Sequence, residues 1–447
     1  MRYLPHTTGD IERMLAVVGA NNLDDLFSTI PSEARLGRPL DLPEPLDEQS
    51  LNRHMDALAG MNAPELDVKS FIGAGCYEHF IPHAVTSVMS RSEFLTAYTP
   101  YQPELSQGTL QGIFEYQTLV CRLLGMEVSN GSLYDGASAL AEALLMAIRV
   151  TGRPRVMLSS TVHPLYRRVA ETYLGQAGYA IESIGVDDDG GTGLATVSVP
   201  GDVAAVAVQS PNFFGCIEDI GEVSRIAHEA GALSVAAFTE PLAFGLLANP
   251  GSLGADIVCG EGRSFGLPPS YGGSSLGIFC ARKAHVRQMP GRIIGRTVDR
   301  DGRRGFVITL ATREQHIRRE RATSNICSNQ SLCALTAAAY LSTLGKTGIR
   351  ALARTNYDRT EYLKSRLRDI GVRIRFKRPT FNEFVAEFPP GFEDADDDFA
   401  GRGYLPGLAL GQFAPELEHC RLICVTETAT REDLDGLIGE VESWMRR

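Results

Sequence analysis

The sequence predicts an α/β protein built on a mainly parallel sheet, with a helical arm ahead of the sheet domain and a small α+β domain behind it. Three observations carry that prediction. From Arg155 onward, short apolar runs alternate with amphipathic stretches of helical period, the rhythm of βαβ units. Val203-Ala-Ala-Val-Ala-Val208 is apolar at every position, as a parallel strand covered on both faces must be. Near Arg350 the rhythm gives way to one helix followed by shorter, spaced strands. The divisions are 1–65 for the arm, 66–345 for the large domain and 346–447 for the small one, in a chain of 447 residues that is longer than one compact core requires.

Composition narrows the function. A net charge of -11 argues against nucleic acid as a partner. No apolar run approaches the roughly 20 residues of a membrane span. The first thirty residues lack an apolar signal core, and Asp10, Glu12 and Asp24 spoil a transit peptide, so the chain reads as cytoplasmic with no membrane partner. The 9 cysteines form no CxxC pair and no zinc spacing, and they read as thiols in a reducing compartment. Cys420 and Cys424 fall on one face of a strand. No metal is expected.

Within the arm, Thr8-Gly-Asp10 starts a helix that carries Ile11, Met14, Leu15 and Val18 on one face. Residues 23–29 add a turn or two, the Pro-rich 38–46 is extended, and 47–60 is helical again. An arm of this kind has no core of its own, so it should lie across the main body or a partner. Phe71-Ile-Gly-Ala-Gly75 contains a GxG without the strand and spacing of a dinucleotide fingerprint. His79 and His83 follow, four apart, and with no third ligand in sight they read as loop or core residues. Residues 99–108, TPYQPELSQG, form a turn-rich loop whose prolines fix its backbone, which suits a loop that presents side chains to a ligand. A strong helix over 110–124 places Ile113, Tyr116, Val120 and Leu123 on one face and ends at Gly125.

Tyr134-Asp-Gly-Ala-Ser138 opens a helix over 139–150, and its small residues would let backbone N–H groups meet an anion. The βαβ series follows: strand 156–159, helix 163–177, strand 180–184, strand 203–208, helix 219–230 and strand 233–238. His163 begins its helix just past a strand end, where its ring could stack on a planar ligand or cap the helix. Strands 256–259 and 275–281 flank a Gly-rich loop at the carboxyl edge of the sheet, where open α/β sheets bind ligands. Residues 310–321, with REQHIRRER, read as a charged helix. An Ala/Leu-rich helix over 331–344 and another over 357–370 come next. Strands 372–376, 383–388 and 422–425, an acidic loop at 393–398 and a helix over 431–444 finish the chain.

A large α/β domain with a small α+β domain resembles the aspartate-aminotransferase-type (fold type I) enzymes that use pyridoxal phosphate. The motifs TPYQPELSQG (99–108), YDGASALAE (134–142), GEGRSFGLPPSYGGSSLG (260–277) and REQHIRRERATSNICSN (313–329) resemble the glycine cleavage system P-protein, glycine dehydrogenase (decarboxylating). The likeness runs the length of the chain and corresponds to the amino-terminal half, subunit 1 or α.

That resemblance implies partners and a cofactor. In the family, pyridoxal phosphate sits on a lysine of the other half, subunit 2 or β, in an α2β2 heterotetramer. Glycine loses carbon dioxide there, and the aminomethyl group passes to the lipoyl arm of H-protein. Here the lysine position reads Gly262 or Arg263, and a guanidinium cannot serve as a neutral amine. Only Lys69, Lys283, Lys346, Lys364 and Lys377 exist to replace it. Lys283 lies beyond the second strand, where it would snorkel at the surface. The acid expected under the cofactor ring reads Glu240 in Thr239-Glu240-Pro241, longer by a methylene than the family's Asp. The site formed by Ser138, His163, Glu240 and Arg263 is therefore expected to be vestigial, with no cofactor bound covalently. Tyr98, Tyr101, Gln102 and Glu104 are expected to reach the partner's site, with Ser324 and Asn325 as weaker candidates. Two alternatives stay open: a self-sufficient homodimeric decarboxylase or desulfurase relative, and a non-catalytic docking subunit.

Overall fold

In the computed structural model, which describes residues 5–62, 68–95 and 101–447, the chain divides into two units, Met1–Leu66 and Asp67–Arg447. In the first, Thr7 and Asp10 form a reciprocal cap on the helix Thr8–Val18, and Gly19 closes it in the left-handed region. A 3-10 turn spans Leu23–Phe27, and Asp47 caps the helix Glu48–Gly60. Residues 38–46 hold neither helix nor strand, because Pro39, Pro43 and Pro45 remove the donors that either would need.

The second unit is organised on seven strands: β2 (Val128–Ser129), β3 (Arg155–Ser159), β4 (Ala180–Ile184), β5 (Val203–Gln209), β6 (Leu233–Phe238), β7 (Ile257–Glu261) and β8 (Gly277–Ala281). Their spatial order is β2-β8-β7-β6-β5-β3-β4, with β3 to β7 mutually parallel and β8 antiparallel to both of its neighbours. Alternation explains why so many positions are apolar. Val235 and Ala237 of β6 join Ile257 and Cys259 of β7 on one face, under the helix Gly136–Thr151. Ala236, Phe238 and Val258 point to the other face, against Ile113, Tyr116 and Val120 of the helix Gln107–Leu124. A sheet covered on both sides has no polar face to spare.

A second sheet, ordered β11-β12-β15-β14, lies late in the chain: β11 (Arg373–Ile374), β12 (Glu383–Glu387), β14 (Leu408–Ala409) and β15 (Cys420–Cys424), all antiparallel. Register sets Glu383 opposite Cys424. The helix Arg431–Met445 covers it through Leu434, Leu437, Ile438 and Val441. Strand β1 (Lys69–Ser70) pairs with β13 (Tyr404–Leu405), so the chain ahead of the large sheet is tied to its far end. Among the described residues no helix is long and apolar enough to cross a membrane.

Three expectations need correction. Residues 310–321 are not one charged helix. The ordered element is a hairpin just before them, β9 (Ile293–Val298) with β10 (Arg304–Thr309), and the charges follow in single turns. REQHIRRER has no apolar stripe to bury, whereas Ile293, Ile294, Val307 and Ile308 suit a strand. The helices expected at 331–344 and 357–370 are one element, Ser331–Asp369, interrupted at Gly345 (φ +59°). The acidic run 393–398 is not a free loop. It makes short helical turns, and Asp396 Oδ1 accepts from Nη1 of the buried Arg421 at 2.6 Å.

Candidate functional site

At the carboxyl edge of the large sheet the chain brings Ser138, His163, Glu240 and Arg263 into one buried region, and each of them is engaged by the chain itself. Ser138 stands in the first turn of Gly136–Thr151, in a reciprocal cap with Asp135. His163 precedes the helix Pro164–Gln176. Its Nδ1 accepts from Leu165 N at 3.2 Å, and its Nε2 donates to the carbonyl of Ala74 at 2.9 Å. Its ring leans on Tyr166 and Phe213, and burial pulls its pKa down, so the ring is neutral. Arg263 donates through Nη1 to Cys76 Sγ (3.1 Å) and through Nη2 to Ser275 Oγ.

Glu240 leads into residues that sequence reasoning missed. Its Oε1 accepts from Leu242 N at 2.9 Å and its Oε2 from Ser264 Oγ at 3.2 Å. The same Oε2 lies 2.8 Å from Nε2 of His79, whose Nδ1 lies 2.9 Å from Glu427 Oε2. The His79 side chain is 3% exposed. Both ring nitrogens face carboxylate oxygens, which only accept, so both carry protons. Burial opposes that charge, but Glu240 and then Glu427 outweigh it, and the His79 pKa stands at about 10. Beside this bridge, Glu383 accepts from Ala74 N (2.6 Å) and from Tyr77 Oη (2.7 Å), and Tyr77 Oη is 3.0 Å from Thr239 Oγ1. Burial, with Glu240 adding to it, pushes Glu383 up to about 7. The close approach requires Gly73, where a Cβ would sit 2.6 Å from the Cβ of Cys424. His83 is exposed on the next helix and shares no ligand with His79. Among the described residues no His, Cys, Asp and Glu cluster is placed to hold a metal ion.

These residues do not fit pyridoxal phosphate. The loop between β7 and β8, residues 262–276, holds Arg263 and no lysine. Lys283 is exposed beyond β8, and the buried Lys364 is spent on Glu361 and Thr380. The helix start that would receive a phosphate is taken as well. Gly136 N donates to Glu261 Oε2 at 3.1 Å, while Leu276 N (2.8 Å) and Arg263 N (3.1 Å) donate to Glu261 Oε1.

The turn-rich loop is described from Tyr101 onward, and Tyr98 lies outside the described residues. Tyr101 turns inward: its hydroxyl donates to Asn329 Oδ1 and lies 3.2 Å from Ser331 Oγ. The Arg292 guanidinium lies 4.0 Å above its ring and is held from the other side by Glu314 at 3.3 Å. Gln102 and Glu104 are exposed. Ser324 donates to the buried Glu142 at 2.8 Å, and Asn325 is exposed. The structure thus joins Tyr101 to Arg292 and Asn329, which the sequence did not single out, and leaves Gln102 and Glu104 apart from them. The usable signal for Asn329 was its place in the same polar stretch as Ser324.

Comparison with known proteins bears on this architecture. The profile of the family "Glycine cleavage system P-protein" matches residues 1–441. The chain is 51% identical over 443 residues to the "Probable glycine dehydrogenase (decarboxylating) subunit 1" of Desulfotalea psychrophila, covering 99% of this chain and 98% of that one. It is 47% identical over 436 residues to the protein of the same description from Thermotoga maritima, covering 98% of each. A crystal structure of "glycine decarboxylase (P-protein) of the glycine cleavage system, in inhibitor-bound form" superposes with a TM-score of 0.89 at 44% identity, over 99% of this chain and 100% of the other. A NifS-like protein at 16% identity, with a TM-score of 0.62 over 85% of this chain and 99% of its own, shows the fold alone. That fold is fold type I of the pyridoxal phosphate enzymes, as the sequence predicts.

Proposed function

We propose that this chain, which belongs to the glycine cleavage system P-protein family, is the subunit that anchors no pyridoxal phosphate and completes the site of a second subunit. It corresponds to subunit 1 (α) of glycine dehydrogenase (decarboxylating). In this reading subunit 2 (β) carries the cofactor, whose chemistry is that of an electron sink for the decarboxylation of glycine. H-protein takes the aminomethyl group on its lipoyl arm. The assembly is an α2β2 heterotetramer in the cytoplasm, and the divisions 1–65, 66–345 and 346–447 belong to the same reading.

One observation supports the proposal: the lysine position reads Gly262 or Arg263, Arg263 is tied to Cys76 and Ser275, and among the described residues the β7–β8 loop holds no lysine. Tyr101 supports the completing role. It is braced by Asn329, Ser331 and Arg292, a degree of fixation that suits a group that must stand at a set position for a neighbour. Gln102 and Glu104 are exposed on the same turn, available to a partner. Ser324 and Asn325 are assigned the same completing role as weaker candidates, as is Tyr98, which lies outside the described residues.

The test mixes the chain with subunit 2 and H-protein and follows exchange of the glycine carboxyl with bicarbonate. Tyr101→Phe and Gln102→Ala are each expected to slow exchange roughly tenfold, the worth of one positioned hydrogen bond, with the complex intact by size-exclusion chromatography. Unchanged exchange in both variants would make the loop a strut and remove the completing role.

A further inference from the structure

Resting on that reading, we infer that this chain carries internal stand-ins for the two ends of the cofactor it does not hold, the ring nitrogen and the phosphate. His79 supplies the protonated ring on Glu240, and Glu261 supplies the accepting carboxyl oxygens at the start of the helix Gly136–Thr151. The cleft is then a finished brace, closed by the strap of residues 71–80.

The geometry supports each half independently. In a fold type I site the acid that follows β6 meets a protonated ring nitrogen, and here Glu240 meets Nε2–H of His79 at 2.8 Å. A phosphate would draw on free N–H groups at the start of the helix, and here Glu261 takes Gly136 N together with two N–H groups of the β7–β8 loop. Glu261 is 4% exposed and Glu240 1%, so water replaces neither.

The strap also reaches His163, Arg263 and Thr239. The Ala74 carbonyl accepts from His163 Nε2, Cys76 Sγ accepts from Arg263 Nη1, and Tyr77 joins Thr239 to Glu383. His79 also reaches beyond the large sheet, to Glu427, which follows β15, and Glu427 in turn accepts from Asn356 Nδ2 at 3.0 Å. One imidazolium therefore fastens the strap, the end of β6, the long helix and the late sheet to a single point. A cofactor that came and went could not serve as such a joint, whereas a side chain of the same charge can.

The two ring N–H groups give the inference a chemical signature. Take the full-length chain in complex with subunit 2 and replace His79→Ala. The thermal midpoint is expected to fall by several degrees, and tens of millimolar imidazole is expected to restore at least half of the loss. Imidazolium can bridge Glu240 and Glu427, whereas N-methylimidazole has a single N–H when protonated and is expected to restore much less. The parent complex should respond to neither compound. For the other end, Glu261→Ala is expected to make the midpoint rise with inorganic phosphate, where the parent shows no rise beyond that given by sulfate-free chloride of equal ionic strength. If His79→Ala fails to assemble, His79→Gln, which fills the space and cannot carry the charge, is measured instead for the fall in thermal midpoint alone, since it leaves no room for an azole.

An unchanged midpoint, equal rescue by both azoles, or a phosphate response identical in parent and Glu261→Ala would overturn the inference. These results are separable from failure of the functional reading. That failure would appear as pyridoxyl label on this chain after borohydride reduction, whatever the azoles do.

Discussion

Glu383→Gln isolates one consequence of the buried network. Glu383 is fully buried, accepts from Ala74 N and Tyr77 Oη, and has its pKa pushed by burial from 4.5 to about 7. Its proton is held more tightly in the folded chain than in the unfolded one. The stability this gives is complete below the unfolded pKa near 4.5 and is lost as pH rises through about 7. The shift corresponds to about 3 kcal/mol at full development. Glutamine imitates the protonated form at every pH. The variant's stability relative to the parent should therefore grow by about 2 kcal/mol between roughly pH 5.5 and 8, whatever constant offset the amide brings. The assay is urea unfolding of the isolated chain followed by fluorescence of Trp444, the 1 tryptophan present. Trp444 packs edge-on against Phe392 at 4.8 Å, in the core beside the sheet that holds Glu383. A difference that stays flat with pH, or shrinks as pH rises, would refute the reasoning.

Two further substitutions test the packing. Arg421 is 1% exposed and donates to the carbonyls of Phe392, Glu393 and Gly407 as well as to Asp396. Arg421→Met should lower stability in the same Trp444 assay by about 3 kcal/mol, because it strands buried acceptors; a loss under a quarter of that would show the turns after β12 to be independent of it. Gly136→Ala would place a Cβ 2.7 Å from Glu261 N and 2.9 Å from the Gly260 carbonyl carbon, and should cost about 2 kcal/mol by differential scanning calorimetry. A neutral result there would mean that the helix start and β7 are not in tight contact.

Much of the sheet was legible because its signals are local. The all-apolar run in β5 implied burial on both faces, and Gly125 marked the end of a helix whose apolar stripe was plain. The hairpin β9–β10 was missed because the conspicuous charges beside it drew attention from the β-branched residues that form it. The site was legible only in part, for a different reason. Glu240 and Arg263 stand at strand ends, where position alone marks them. The residues gathered around them come from far along the chain: His79 is 161 positions from Glu240 and 348 from Glu427, and Tyr77 is 306 from Glu383. No periodicity links such distant residues, and a histidine in a loop reads as unremarkable until its neighbours are known. Tyr101 was singled out as a loop residue facing the partner, and its inward turn depends on Asn329 and Arg292, which lie in other loops.

The most direct measurement is borohydride reduction of the purified chain incubated with pyridoxal phosphate, alone and in complex with subunit 2, followed by peptide mapping. The expected result is no stoichiometric pyridoxyl group on Lys69, Lys283, Lys346, Lys364 or Lys377, with the label carried by subunit 2. A stoichiometric label on any of those five, Lys283 above all, would contradict it.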